Sequence, residues 1–295
     1  MIKQTLMFTN PVSLSLKDQQ MVITFKDNKD TVTRPIEDLG FVIIENAMVS
    51  ITIPLLNELA DHNVSVVFCD KKLMPKTMLM TLDGNSTQQE SYKYQIDASI
   101  PTKKNVWKQL IESKIKNQSL LLNKVSKNGD VLKPYYMNVK SGDTDNREGA
   151  AAREYWNRLL GSGFKRERDG LPPNSLLNYG YTILRAAVSR ALIGSGLYPA
   201  FGVFHRSRYN AFPLADDVME PYRPFVDEIV YHLYIDDAVR ELDSQAKSKL
   251  LRSLFSDVKI GKVTRPLEVA LSLTTASLLK MFKGETDKLS LPLLI

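Results

Sequence analysis

A single cysteine in 295 residues excludes an internal disulfide and suits a reducing cytoplasm, where the protein is expected to work. Cys69 closes the apolar run Val64-Ser65-Val66-Val67-Phe68, a setting for a buried structural thiol rather than a nucleophile. No run of about 18 apolar residues occurs, so no membrane-spanning helix is expected. Residues 1–16 have no long apolar core behind a basic start, so no signal peptide is expected either. The phosphate loop GxxxxGK[ST], the CxxC pair and HExxH are also missing. Their absence sets aside nucleotide hydrolysis and zinc chemistry of the common kinds.

Hydrophobic residues make up 43% of the chain, ample for the two cores that this length suggests. Lys plus Arg number 39 against 33 Asp plus Glu, a net charge of +6. With a pI near 9.1, the excess favours an anionic partner, nucleic acid before membrane.

Residues 1–82 read as β-rich. Short strands are expected over 4–8, 12–16, 21–25, 31–35 and 41–44, separated by polar breaks at 17–20 and 26–30. Val12, Leu14 and Leu16 alternate with polar residues, which suits a sheet with one wet face. A helix over 52–62 should end on His62 as a cap, and strands over 64–69 and 76–82 follow. This unit gathers no chemically active residues, and its expected role is packing, including against a second copy. Residues 83–100 begin with a polar, turn-rich stretch and are taken as a linker.

From 101 to 295 the pattern turns helical, so the fold class is α+β, a small β-rich domain before a larger all-α one. A helix over 103–127 carries Trp107, Leu110, Ile111 and Ile115 together with Lys103, Lys104, Lys108, Lys114, Lys116, Lys124 and Lys127. Those lysines are either a solvated face or a phosphate-contacting one. Further helices are expected from Asp145 or Asn146 to 160, over 171–196, over 243–257 and over 266–282. Glu148, three residues after Asp145, suits either a capping box or a chemical role. His232 reads as core or interface.

The stretch 205–228 concentrates chemistry-bearing residues. His205 precedes Asp217 and Glu220, which share one helical face at a spacing of three, with Arg206, Arg208 and Arg223 nearby. An imidazole and carboxylates make an N/O set for a divalent cation, and a solvated acidic turn fits the spacing equally. Pro221 and Pro224 imply a kinked or restarted helix.

Taken in order, Arg147-Glu148-Gly149 with Ala151-Ala152-Arg153 and Tyr155-Trp156, Asn174-Ser175-Leu176-Leu177-Asn178-Tyr179-Gly180-Tyr181, the stretch from Gly196 to His205, and Asp217-Val218-Met219-Glu220-Pro221-Tyr222-Arg223-Pro224 with Asp227 form a specific set. Together they resemble the integrase/endonuclease family of CRISPR spacer acquisition, the first in the CRISPR-associated series. Asn210-Ala211-Phe212-Pro213-Leu214-Ala215-Asp216-Asp217 looks most like the branch that accompanies a single large RNA-guided effector nuclease. The resemblance implies joining of the 3′-hydroxyls of a short DNA duplex, the spacer, to the CRISPR repeat by phosphodiester transesterification, with Mg²⁺ or Mn²⁺ as cofactor. It implies Glu148, His205 and Glu220 as cation ligands, where many relatives have aspartate at the last position. Asp217 matches a further catalytic acidic position, and Tyr155, Arg206 and Arg223 are DNA-contacting or supporting candidates beside Lys103, Lys104 and Lys108. The partners implied are double-stranded DNA, a second copy of the chain, a small ferredoxin-like protein that is second in the series, and the effector nuclease. A branched-DNA nuclease and a non-catalytic DNA scaffold are the competing readings.

Overall fold

The alternation read in the first third produces two four-stranded sheets. A computed structural model describes residues 3–27, 30–81, 84–167, 169–205 and 207–295. Expectations at Asn28, Lys29, Leu82, Asp83 and Arg206 lie outside the described residues. The chain divides into two compact units, Met1–Gly84 and Asn85–Ile295.

In the first unit, β1 (Gln4–Phe8), β5 (Leu39–Ile44), β7 (Ser65–Cys69) and β8 (Pro75–Leu79) form one sheet in the order β1-β5-β7-β8. Every residue of β5 is buried, and β5 runs parallel to both β1 and β7. A continuous apolar run is what a parallel strand covered on both faces requires, so hairpins account for only part of this unit. The second sheet holds β2 (Val12–Lys17), β3 (Gln20–Phe25), β4 (Thr31–Pro35) and β6 (Ser50–Ile51) in the order β4-β3-β2-β6. Here the period of two survives: Val12, Leu14, Met21 and Ile23 are buried while their neighbours are wetter. These side chains share a core with Leu55 and Leu59 of α1 (Ile53–Asp61). Each fully buried Leu or Ile contributes about 1.5–3 kcal/mol relative to exposure, so this shared core stabilises the unit. His62 caps α1, its ring nitrogen Nδ1 3.0 Å from the Glu58 carbonyl.

The second unit begins with helix where a linker is expected. α2 (Gln88–Asp97) packs on α10 (Leu267–Phe282), and Gln95 Nε2 donates to the Tyr198 and Phe201 carbonyls at 2.9 and 3.0 Å. Gly196, at φ +77°, lets the chain pass so close to α2 that an added Cβ would stand 3.0 Å from Ser91 Oγ. The central elements are α3 (Ile100–Lys124) and α6 (Asn174–Gly194), with α4 (Lys133–Tyr136), α5 (Arg147–Leu160), α7 (Pro213–Met219), α8 (Arg223–Tyr231) and α9 (Ser244–Leu251) around them. The unit is largely helical but not wholly so. The expected helix over 243–257 stops at Leu251, and β9 (Asp257–Ile260) and β10 (Val263–Pro266) form a hairpin joined by β11 (Pro292–Leu293). Val258 and Ile260 are buried between exposed neighbours, a strand period that the preceding helical pattern masks. The terminal segment lies along α3: Asn117 accepts the Leu294 amide at 3.1 Å and donates to the Pro221 carbonyl at 2.8 Å. Among the described residues no helix is long and apolar enough to cross a membrane.

Candidate active site

Glu148 stands second in α5, and the start of that helix explains why its side chain is available. Asn146, in the left-handed region, accepts the Gly149 amide at 3.1 Å, and Asp143 accepts the Arg147 and Glu148 amides at 2.8 and 3.1 Å. Asp145 pairs with Arg147 instead. The capping box between Asp145 and Glu148 therefore does not form, because other side chains already hold the orphan amides.

Glu220 is placed by proline. Pro213 opens α7 at its first position, and Pro221 and Pro224 interrupt what would be one helix, giving α7, a 3₁₀ turn over Glu220–Tyr222, and α8. That turn packs against α3, and the Glu220 side chain, 4% exposed, meets Lys114 from the apolar face of α3. Lys114 Nζ lies 2.5 Å from Glu148 Oε1 and 2.6 Å from Glu220 Oε2, while Arg223 Nε lies 2.9 Å from Glu220 Oε1. Burial disfavours the Glu220 carboxylate, but the Arg223 and Lys114 charges outweigh it and hold the group at about 2. Burial equally opposes the Lys114 ammonium, and the two carboxylates more than offset this and raise its pKa.

His205 belongs to a second arrangement. Its Nδ1 is 2.6 Å from Asp217 Oδ1, which also accepts the His205 amide at 3.1 Å. Asp217 Oδ2 accepts the Val203 and Phe204 amides at 2.7 and 3.1 Å. The hydrogen bond to Asp217 raises the His205 pKa against the opposing effect of burial, and the Glu220 charge adds to the rise from farther off. Burial pushes the Asp217 carboxyl up, against the pull of the same hydrogen bonds. Trp107 of α3 stacks on Phe204, centroids 4.0 Å apart, and meets the His205 ring edge-on. Gly202 makes this loop possible, since a Cβ there would stand 2.8 Å from Pro213 Cβ and 3.1 Å from Asp217 Oδ2.

A pocket of about 310 Å³ opens beside the carboxylates, lined by Lys114, Glu220, Arg223, Tyr181, Arg166 and Trp156 among others. Its floor is Asp227, which accepts the hydroxyls of Tyr155, at 2.8 Å, and Tyr181. Burial pushes the Asp227 carboxyl up to about 6 despite those bonds.

Residues 6–265 match the family described as CRISPR associated protein Cas1. The chain belongs to the Cas1 family. It is 37% identical over 262 residues to the CRISPR-associated endonuclease Cas1 of Neisseria meningitidis serogroup C (strain 8013), covering 88% of this chain and 85% of that one. Two solved structures share the fold at 20% identity. A casposase bound to its integration product superimposes with a TM-score of 0.82 over 98% of this chain and 93% of that chain. A Cas6-RT-Cas1–Cas2 complex does so with 0.72 over 97% of this chain and 35% of the larger one.

In this Cas1 chain the residues singled out in the sequence separate into groups. Glu148 and Glu220 come together on one cation, the Lys114 ammonium. His205 is bound instead to Asp217, and among the described residues no group of three His, Cys, Asp or Glu is spaced to hold a metal ion. Of the three residues expected to meet around one cation, the structure brings Glu148 and Glu220 together on the Lys114 ammonium and holds His205 on Asp217. Asp217 has both oxygens engaged by the loop and acts on His205. Tyr155 is fully buried on Asp227, which removes it from the DNA-contacting candidates. Arg223 pairs with Glu220 and covers the Tyr181 ring at 4.5 Å, facing the pocket. Lys104 is exposed, Lys108 pairs with Glu112 at 3.6 Å, and Lys103 bonds the Ile96 carbonyl beside His205 in a separate hollow. Asp216 is held by Arg185 and Asn210. His232 is exposed on a π-turn and paired with Asp236, not in the core.

The donor set suits a hard divalent cation. Two carboxylates from distant parts of the chain converge on one positive charge, and the Lys114 ammonium, 2.6 Å away, is the partner of the buried Glu220 Oε2. Sequence reasoning missed Lys114, Arg166 and Tyr181 as members of this site. Lys114 was the detectable one, a lysine at i+3 from Ile111 and i+4 from Leu110 on an apolar helical stripe.

Proposed function

We propose that this chain is a cation-dependent DNA endonuclease/integrase of CRISPR adaptation, joining the 3′-hydroxyl ends of short duplex DNA to the CRISPR repeat. The observation that carries this reading is the convergence of Glu148 and Glu220 on one cation, with Arg223 and His205 at its margin. Membership of the Cas1 family and identity with a relative named an endonuclease support it.

Glu148 and Glu220 would hold Mg²⁺ or Mn²⁺, with His205 Nε2 as a third donor, since Nδ1 is committed to Asp217. Such a cation supplies neutralisation of phosphoryl charge and a more acidic attacking hydroxyl. Arg223 and Arg166 border the pocket where non-bridging phosphate oxygens would lie, and guanidinium groups suit their geometry. His205 can instead carry the proton released by the attacking 3′-hydroxyl or deliver one to the leaving 3′-oxygen. Strand transfer breaks one phosphodiester bond and forms another, so no nucleotide hydrolysis is required. The same balance lets the reaction run backwards as disintegration.

Partners follow from this reading. A first unit whose sheets and helix close around an apolar core suits a homodimer contact, and a structural neighbour contains Cas2 as well as Cas1. Two attack points on a spacer of roughly 30 base pairs lie on the order of 100 Å apart, at 3.4 Å per base pair. A domain of about 200 residues has a radius of gyration of only about 16 Å, so an assembly must set that distance. The deciding experiment incubates the protein, with and without a small ferredoxin-like partner, with a short duplex bearing free 3′-hydroxyls and a supercoiled repeat-bearing plasmid. Joined products are expected. Cleavage without joining would favour a branched-DNA nuclease, and no reaction in Mg²⁺ or Mn²⁺ would defeat the proposal.

A further inference from the structure

Lys114 occupies an unusual place for a lysine. It stands on the buried stripe of α3, among Leu110, Ile111 and Ile115, with its side chain only 10% exposed. An ammonium there is tolerated only because it is paired, and it is paired twice, with Glu148 and Glu220. Arg223 supplies a second positive charge to Glu220. Two carboxylates face two cations, so the cluster is neutral without any metal.

That balance has a consequence for loading. Mg²⁺ binds oxygen ligands at about 2.0–2.1 Å, and the Lys114 nitrogen already stands between the two oxygens that would be its ligands. Ammonium and metal cannot occupy the same position. Adding a divalent ion while both resident cations remain would leave a buried cluster with two uncompensated positive charges. DNA phosphates are the anions that would compensate them, and the pocket beside Lys114 is open to receive one. A lysine has a flexible four-carbon stem and three donors, so it can give up carboxylates and take phosphate oxygens.

Building on the cation-dependent reading above, we propose that Lys114 is a resident counter-ion for Glu148 and Glu220, displaced when a divalent cation and a DNA phosphate enter together. The protein free of DNA then binds metal weakly, and DNA sets the metal affinity. Binding is coupled through charge, and by linkage the coupling is reciprocal.

The test measures Mn²⁺ binding to the full chain from the free-ion electron paramagnetic resonance signal. The wild type and Lys114→Met are compared with and without a duplex made unreactive by 3′-deoxy ends. Lys114→Gln is read in the same way should the methionine variant not fold. For the wild type, DNA should tighten Mn²⁺ binding by about tenfold or more, within the usual range for coupled sites. Without DNA the neutral variants should bind Mn²⁺ about tenfold more tightly than wild type, and DNA should add little. Their thermal midpoints should fall below wild type in chelator, where two carboxylates repel, and should rise further on adding Mn²⁺. If the wild type binds Mn²⁺ with DNA but the neutral variants bind no more tightly without it, the counter-ion role is wrong and the cation-dependent reading stands. If no protein binds Mn²⁺ even with DNA, that reading fails and this inference falls with it.

Discussion

Asp217 and Glu220 sit three residues apart, are both buried, and are held in opposite ways. Asp217 takes its hydrogen bonds from the amides of Val203, Phe204 and His205 and from the His205 ring, donors fixed by the backbone of one loop. Glu220 faces the side-chain cations Lys114 and Arg223, which can move without unfolding anything. A carboxylate saturated by fixed amides can orient a neighbour but has no oxygen to release. One held by mobile cations can exchange partners. The difference suits Asp217 to positioning and, on the function proposed above, Glu220 to direct work on a cation, although spacing alone makes them equivalent.

The sharpest way to break that contrast is to neutralise each carboxylate. Glu220→Gln and Glu148→Ala should lower strand transfer by roughly 10³-fold or more, since the cation's charge stabilisation is worth several kcal/mol. DNA binding, followed by fluorescence anisotropy, should change little because it rests on Lys and Arg contacts to phosphate. His205→Ala should cost about 10²–10⁴-fold if the ring moves a proton. Asp217→Asn should cost only about 10–100-fold, the range for a group that orients another. Equal losses for Asp217→Asn and Glu220→Gln would erase the distinction, and a parallel loss of DNA binding would point to misfolding instead.

Much of this arrangement was legible in the residues, for physical reasons that also mark where reading stopped. Glu148, His205 and Glu220 stand out because their surrounding words form an ordered set, and the prolines at 221 and 224 break the helix where their missing amides require. Strand alternation in β2 and β3 was direct, because one face of that sheet is wet. The parallel pairing of β1, β5 and β7 was not, since a fully buried strand has no alternation to read. Lys114 was counted with its exposed neighbours Lys116 and Lys124, because charge invites a surface reading. Its phase on the helix placed it with Leu110 and Ile111 instead. Tyr155 follows the same logic, four residues from both Ala151 and Leu159 on the buried stripe of α5. The engagement of Asp217 by three backbone amides could not be read at all, because it depends on how a loop folds back through Gly202.

The smallest effect expected from the contrast is a shift in one titration. The hydrogen bond to Asp217 holds the His205 pKa above its ordinary value of about 6.5, and Glu220 contributes through space alone. Asp217→Asn should therefore lower the His205 pKa markedly, and Glu220→Gln should lower it less. The chain has three histidines, so the ring resonance can be assigned by substitution and followed by nuclear magnetic resonance as pH is varied. The sign carries over to stability. A histidine whose folded pKa is raised contributes in full below its unfolded value, about pH 6.5, and that contribution is lost as pH rises through the folded pKa. The part of the Asp217→Asn deficit that comes from this pair should thus be larger near pH 6 than near pH 9 in denaturant titrations. Its size should be modest, because the His205 side chain is 37% exposed and solvent screens the pair. A larger shift from Glu220→Gln than from Asp217→Asn would mean that His205 answers to the cation cluster rather than to its loop, and the two carboxylates would have to exchange roles.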